Sequence, residues 1–187
     1  MALATLAALK EYLELTGSGH DARLTALLAR SDTFVKSFTK RALEVPANDV
    51  TEYYDGNFTD TIFLREFPIV SVTSVHDDTA RVFGADTLIA AADYVIVNDP
   101  GYIRYLYGLR FAKGAQNVKV IYKGGYSTIP KDLEMASIYA AAFWFEERKN
   151  IARGSVNIRD GGTTGHLHDV PPSVKEMLAP YVRKEVG

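Results

Sequence analysis

The sequence contains no cysteine, which excludes a disulfide scaffold, a thiolate zinc site and a cysteine nucleophile. It also lacks long apolar runs: none approaches the roughly 18 residues of a membrane helix. The amino terminus has neither the basic start nor the long apolar core of a signal peptide, and apolar and charged residues mix from Leu9 onward. A soluble protein made in the cytoplasm, with no membrane partner, is expected. Charge of one sign is lacking too. The 21 Lys and Arg against 23 Asp and Glu leave a net charge of −2, whereas a dedicated nucleic-acid binder is normally strongly basic.

What is present is globular. A composition that is 47% hydrophobic and 24% charged excludes a disordered tail or a coiled coil. The 187 residues fit one domain that buries roughly 70% of its unfolded surface. That domain, 1–187, divides into three zones.

Zone 1–49 predicts two helices. Ala2, Leu6, Leu9 and Leu13 recur at helical steps, with Lys10, Glu11 and Glu14 off the stripe. Gly17 and Gly19 are expected to end the first helix. Ser18 and Asp21 have capping-box spacing and are expected to open the second. Leu24, Leu27, Leu28, Phe34, Val35 and Phe38 give the second helix an apolar face, and Pro46 is expected to stop it.

Zone 50–128 is rich in Val, Ile, Thr and Tyr, punctuated by Gly, Asn, Asp and Pro. Strands are expected at 50–54, 61–64, 69–76, 94–97, 102–104 and 118–122. Turns are expected at Asp55-Gly56-Asn57 and Asn98-Asp99-Pro100-Gly101. Short strands with tight turns imply an antiparallel sheet or small barrel, because parallel pairs need long crossovers.

Zone 129–187 returns to helix. Pro130 pre-sets its start, Asp132 and Glu134 suit the first turn, and Arg148 and Lys149 suit the last. From Met135 to Phe145 the helix is apolar on nearly every side, so it must be covered all round. Either it is simply central, or one side meets another subunit through Met135, Ile138, Tyr139, Phe143, Trp144 and Phe145. A Gly-, Thr- and Asn-rich loop over 151–170 follows. A short helix with the stripe Val174, Met177, Leu178 and Tyr181 ends the chain. The fold class is α+β: a helical bundle of two N-terminal and two C-terminal helices, with an antiparallel β-rich insertion in the middle.

Chemical motifs are sparse. Asp55 to Glu66 spans a calcium-loop length, yet its sixth position is Asp60, where the sharp turn needs Gly. A hairpin turn explains the same residues. His166 and His168, beside Asp169, have no third ligand at recognisable spacing. Gly161-Gly162-Thr163-Thr164-Gly165 lacks the Lys-Ser/Thr of a phosphate cradle. Lys123-Gly124-Gly125-Tyr126 reads as a turn needing positive φ. Arg148, Lys149, Arg153 and Arg159 form a basic run, read as a solvated helix end, a docking surface for an acidic protein partner, or a contact with nucleic acid. No catalytic signature is present. No catalytic residue, cofactor or metal is expected.

Several segments, taken in order, carry a resemblance. They are Tyr53-Tyr54-Asp55-Gly56, the run Leu64-Arg65-Glu66-Phe67-Pro68-Ile69-Val70-Ser71-Val72, and Val118-Lys119-Val120-Ile121-Tyr122-Lys123-Gly124-Gly125-Tyr126. Ile129-Pro130-Lys131-Asp132, Pro171-Pro172-Ser173-Val174 and Leu178-Ala179-Pro180-Tyr181 complete the set. Together they resemble the head–tail connector, or neck adaptor, proteins of long-tailed phages and phage-like particles. The stretch 77–92 has the place of a variable hairpin in that scheme.

The resemblance implies a structural virion protein at the head–tail junction and no enzyme. It implies a homo-oligomeric ring, dodecameric in such necks, between the portal protein and the stopper or tail protein. The ring extends the channel through which DNA passes without specific binding. A ring needs two different adhesive faces on each copy, and the apolar helix and the β block are the expected sources. The region 148–187, with Arg148, Lys149, Arg153, Arg159, Val174, Met177 and Tyr181, is the expected portal contact. Removing 151–187 is expected to leave a folded monomer. The competing readings are a stopper or tail-terminator protein, a small enzyme using His166, His168, Asp169 and Arg159, and a host-encoded binding module with no place in a virion.

Overall fold

The computed structural model describes residues 2–147 and 170–183. The chain forms two compact units. One takes the segment up to Lys40 together with Ile129–Arg183, and the other is built on Arg41–Thr128. Helices and antiparallel sheets are both present, so the class is α+β. No helix among the described residues is long and apolar enough to cross a membrane.

The helical unit contains α1 (Leu6–Tyr12), α2 (Asp21–Thr39), α3 (Lys131–Glu147) and α4 (Pro172–Leu178). Thr5 caps α1, its side chain accepting from the Ala8 N–H at 3.1 Å. The helix stops earlier than its two glycines suggest, because the chain turns at Leu13 and at Glu14, whose φ is 54°. Beyond it, the Lys10 ammonium bonds both the Gly17 carbonyl at 2.5 Å and the Asp21 carboxylate at 2.7 Å. That second bond corrects the expected capping box: Asp21 is engaged by Lys10. The residue before α2 is His20, which makes no side-chain cap. Helix α2 also ends before Pro46. Lys40 adopts the left-handed conformation, φ 57°, and its N–H closes on the Lys36 carbonyl.

The buried stripe of α2 is Leu24, Leu28, Ser31, Val35 and Thr39. Two of its five members are polar, and each hydroxyl finds a partner. Thr39 bonds back to the Val35 carbonyl, and Ser31 meets Ser137 of α3 at 2.5 Å. Ser137 reaches Asp32 at 3.3 Å, and Asp32 accepts from the Leu3 N–H at 3.2 Å, pinning the N-terminal segment. Helix α3 touches α1, α2 and α4. Its Ala136, Ala140, Ala141 and Ala142 are buried, small side chains that let neighbouring backbones approach closely. Ile138, Ala141, Ala142 and Phe145 share a core with Leu9, Leu24 and Leu28. From α4, Val174 and Leu178 are fully buried.

The β unit has two three-stranded antiparallel sheets. In the first, β6 (Gly114–Gly124) lies between β1 (Val50–Gly56) and β3 (Ile69–Asp77). In the second, β5 (Tyr102–Tyr105) lies between β2 (Thr61–Phe63) and β4 (Tyr94–Val97). Alternation on β6 buries Val118, Val120 and Tyr122. They share one core with Ile62, Leu64, Ile69, Val75, Ile103 and Phe111.

Strand β6 begins four residues earlier than its apolar run. Gly114-Ala115-Gln116-Asn117 has little β-propensity, but Asn117 holds it in place. Its side chain accepts from the Gly56 N–H and donates to Asp77 and to the Ala112 carbonyl, each at 2.9 Å. Gly56 is required there, since a Cβ would lie 1.8 Å from the Ala112 carbonyl oxygen. The expected hairpin within 77–92 is instead an irregular segment with one 3-10 turn at Ala85–Thr87 and another at Ala91–Asp93. Asp78 organises its start by accepting from the N–H groups of Ala80, Val82 and Phe83, each at 2.8 Å.

Candidate assembly interface

The apolar helix finds its cover inside its own unit. Ile138, Trp144, Phe145 and Val174 are buried, while Met135, Tyr139, Phe143, Met177 and Tyr181 are half-buried. Trp144 carries the Arg30 guanidinium 4.0 Å above its ring and meets the Phe34 ring edge-on. Tyr139 packs against Tyr12, and the Tyr181 hydroxyl reaches Asp132 at 3.3 Å. Met135, Tyr139 and Phe143 keep part of their surface exposed. Arg148, Lys149, Arg153 and Arg159 lie outside the described residues, as do His166, His168, Asp169 and the stretch 161–165. Among the described residues no three His, Asp or Glu side chains group as a metal site.

Among the described residues, the exposed large apolar side chains are on the β unit, with Tyr12 the exception. Two places collect five of them. The first is the outer face of the β2-β5-β4 sheet, where the register puts Phe63, Tyr102 and Val97 side by side and Thr61, Arg104 and Val95 in the next row. Phe63 and Tyr102 stack at 5.3 Å, with the Arg104 guanidinium over the Tyr102 ring.

The second is the tip formed by the turn after β1 and the loop after β5. Phe58 is 61% exposed and Tyr107 is 84% exposed, with Leu109 beside them. Phe58, Tyr107 and Gly108 all have positive φ, which is how so tight a pair of turns projects its side chains outward. Arg110 lies over the Phe58 ring and donates to the Phe58 carbonyl at 3.3 Å. An open hollow of ≈ 310 Å³ lies between Phe58, Asp60, Leu109 and Arg110.

The supposed calcium loop is part of this tip. Asp55 accepts from the Gln116 N–H at 2.7 Å and Asp60 from the Thr61 hydroxyl at 2.9 Å, so both carboxylates serve the turn. The Gly124-Gly125 pair is likewise conformational. Gly125 has φ 124°, and a Cβ on Gly124 would lie 2.2 Å from the Glu66 carbonyl oxygen.

Below the surface, a polar cluster holds the frame. Glu52 accepts from the hydroxyls of Tyr54 and Tyr122, and those oxygens in turn accept from the N–H groups of Arg65 and Glu66. Burial, reinforced by neighbouring charge, pushes both phenols well above their ordinary range. Burial also raises the Glu66 carboxyl, opposed by the Ala42 N–H and by Arg41. Arg41 itself is lowered by burial, stacks on Phe67 at 3.4 Å and donates to the Phe67 carbonyl. The run Leu64-Arg65-Glu66-Phe67-Pro68 is thus a framework segment. Its backbone donors and Phe67 are spent internally, and its chemistry is that of a scaffold.

Sequence reasoning missed the exposed apolar residues of the β unit. It also missed a separation of charge that the sequence does carry. From 82 to 103 there are three acids, Asp86, Asp93 and Asp99, and no base; from 104 to 113 there are Arg104, Arg110 and Lys113 and no acid. The net charge near zero conceals it.

Comparison with known proteins gives the following. The model of a family described as HCP, head completion protein, matches residues 2–184. A chain from the neck of an empty GTA particle, computed with C6 symmetry, is similar at 21% identity and a TM-score of 0.62. It covers 98% of this chain and 91% of that one. A chain from the neck of a native GTA particle, computed with C12 symmetry, is similar at 19% identity and a TM-score of 0.52. It covers 92% of this chain and 94% of that one. No curated protein matches the sequence.

Proposed function

The chain belongs to the head completion protein family, and from that membership we propose that it forms a ring at the neck of a phage or phage-like particle, between the portal and the stopper or tail. It is a structural protein of the particle and not an enzyme. The observation that carries the reading is the family match over residues 2–184, because it spans every element described. The ring is supported by the C6 and C12 symmetries of the necks that hold the similar chains.

In this reading the four helices act as one bundle and the two units as one working domain. The ring continues the channel of the portal, and DNA passes through it without specific contact. The physics suits that task. Each phosphate neutralised by a bound cation adds affinity, and a net charge of −2 avoids holding the departing genome. The portal contact falls to the basic residues Arg148, Lys149, Arg153 and Arg159, with Met177 and Tyr181, which keep part of their surface exposed. Ring closure requires two unlike adhesive faces on each copy, and the exposed apolar residues of the β unit are the material for them.

The test is antibody labelling of purified particles viewed by electron microscopy. Label at the head–tail junction is expected. Intact tailed particles with no label, and no band for the protein on a denaturing gel, would overturn the proposal.

A further inference from the structure

The β2-β5-β4 sheet has unlike sides. Beside β2 lies the tip, with Tyr107 and Leu109 exposed and Arg110 and Lys113 reaching solvent. It is fixed to that side by the Phe111 N–H donating to the Thr59 carbonyl at 2.9 Å and by the Arg110 bond to Phe58. The acids nearest to it are Asp55 and Asp60, held by Gln116, Thr61 and Arg104, Asp77, which accepts from the Ala112 N–H, and Asp93, whose carbonyl accepts from the Leu106 N–H.

Beyond β4, on the other side, lies the acidic stretch. Asp86 and Asp99 are exposed, as are Val82, Leu88, Val95 and Ile96. The Ile69 N–H donates to the Asn98 carbonyl at 3.0 Å, and Leu88 bridges to His76, so this stretch is anchored beside β3. The nearest bases are Arg81 at its start, Lys119, which lies over the Phe83 ring, and the buried Arg41, which interacts with Asp99. One sheet thus carries an exposed apolar and basic tip and an exposed apolar and acidic stretch that includes the β4–β5 turn; the two adjoin where the Leu106 N–H donates to the Asp93 carbonyl.

A border of one sign is repelled by its own counterpart on a second copy and attracted to the opposite border. Repeated head to tail, that contact generates a closed ring when the rotation closes. We infer that the tip around Tyr107, Leu109, Arg110 and Lys113 docks on the acidic border around Asp86, Leu88 and Asp99 of a second copy of this chain. The inference rests on the ring reading and names the contact that builds the ring. The small β sheet then supplies the contact between neighbouring copies.

The test is charge reversal in cells whose particles depend on this protein. Arg110→Glu with Lys113→Glu makes both borders acidic. Asp86→Lys with Asp99→Lys makes both basic. Like charges brought together across an interface cost several kcal/mol, so each double variant alone should lower the yield of tailed particles by about tenfold or more. Co-expressed in equal amounts, the two should restore it, because an alternating ring of even copy number pairs every acidic border with a basic one.

A second experiment uses the absence of cysteine. Tyr107→Cys with Leu88→Cys, both exposed positions, is treated in particles with a bis-maleimide. It should give a ladder of oligomers where either single variant gives none. Restoration together with the ladder supports the contact. Neck labelling without either result overturns the contact and leaves the ring standing. Dimers from a single cysteine variant overturn it in favour of a two-fold contact. Absence of the wild-type protein from the neck overturns the ring reading itself.

Discussion

The hydroxyl of Tyr122 donates to the carboxylate of Glu52 at 2.8 Å. The same oxygen accepts from the Glu66 N–H at 3.0 Å, so one phenol ties β1, β6 and the segment after β2 together. Tyr54 makes the matching pair of bonds, to Glu52 and from the Arg65 N–H.

Tyr122→Phe removes the hydroxyl and leaves the Glu66 N–H without its acceptor. Such an orphan costs about 1–3 kcal/mol, or roughly 2–10 °C in Tm for a chain of this size. Thermal unfolding followed by circular dichroism measures it. Because folding raises the pKa of both phenols, the unfolded chain ionises first as pH rises. Their contribution is intact below about pH 10 and is lost above it. The alkaline loss of stability should be smaller in Tyr122→Phe than in the wild type, and an unchanged alkaline profile would remove the phenols as its cause.

Gly56→Ala should be among the most damaging single changes in the β unit. The new methyl would lie 1.8 Å from the Ala112 carbonyl oxygen and 2.8 Å from the Asn117 amide nitrogen, so backbone must move. A loss of about 3 kcal/mol or more is expected, read from the urea midpoint. Asn117→Ala, which strands the Gly56 N–H and an Asp77 oxygen, should lose a comparable amount.

Removing 151–187, expected from sequence to leave a folded monomer, should instead unfold the helical unit, because Val174 and Leu178 are fully buried there. Leu178→Ala alone should cost about 2–5 kcal/mol. Urea unfolding of that variant and the near-ultraviolet dichroism of Trp144 in the truncated chain test the two statements.

Acid should weaken the β unit in two steps. Burial, with Lys119, lowers the pKa of His76, so the unfolded chain takes up that proton first. Stability is full above the ordinary histidine value and falls as pH drops through it. Asp78 is lowered by the N–H of Phe83, with those of Ala80, Val82 and Arg81. Its contribution is kept above the ordinary carboxyl value and lost as pH falls through the folded one. Glu66 works in the opposite sense, since its raised pKa lets the folded chain bind a proton more readily. Urea midpoints at pH 7.5 and 5.5 should differ in the wild type and draw together in His76→Gln.

Replacing Arg148, Lys149, Arg153 and Arg159 by Gln should leave the unfolding midpoint unchanged and reduce co-purification with portal-bearing heads. The loss should grow as salt is raised in the wild type, as for any contact between exposed charges. Undiminished co-purification would move the portal contact elsewhere on the chain.

The strands at 94–97 and the core of β6 were legible because β-branched and aromatic residues crowd there, and on β6 the pleat turns one side of that run into a buried face. The first residues of β6 were not, because Asn117 acts through bonds to Gly56, Asp77 and Ala112, which only the folded chain brings near. The start of α2 was misread for a similar reason: Lys10, eleven positions earlier, takes the Asp21 carboxylate. The apolar character of helix α3 was legible, yet sequence could not say what covers it, since that depends on how α1, α2 and α4 pack. The exposed tip escaped because single exposed aromatics are common, and only the folded turns bring Phe58 and Tyr107 to one end.

The insertion of 41–128 between α2 and α3 has a consequence for biosynthesis. When α2 leaves the ribosome, the helix that will cover Leu24, Leu28 and Val35 has not been made. At about 5–20 residues per second, α3 follows on the order of ten seconds later. The β unit is continuous in sequence and can close first, so the nascent chain carries a finished sheet and an unfinished helix pair at once. A chaperone that shields newly made apolar helices would find its substrate in that interval, and slow codons within 114–128 would lengthen it.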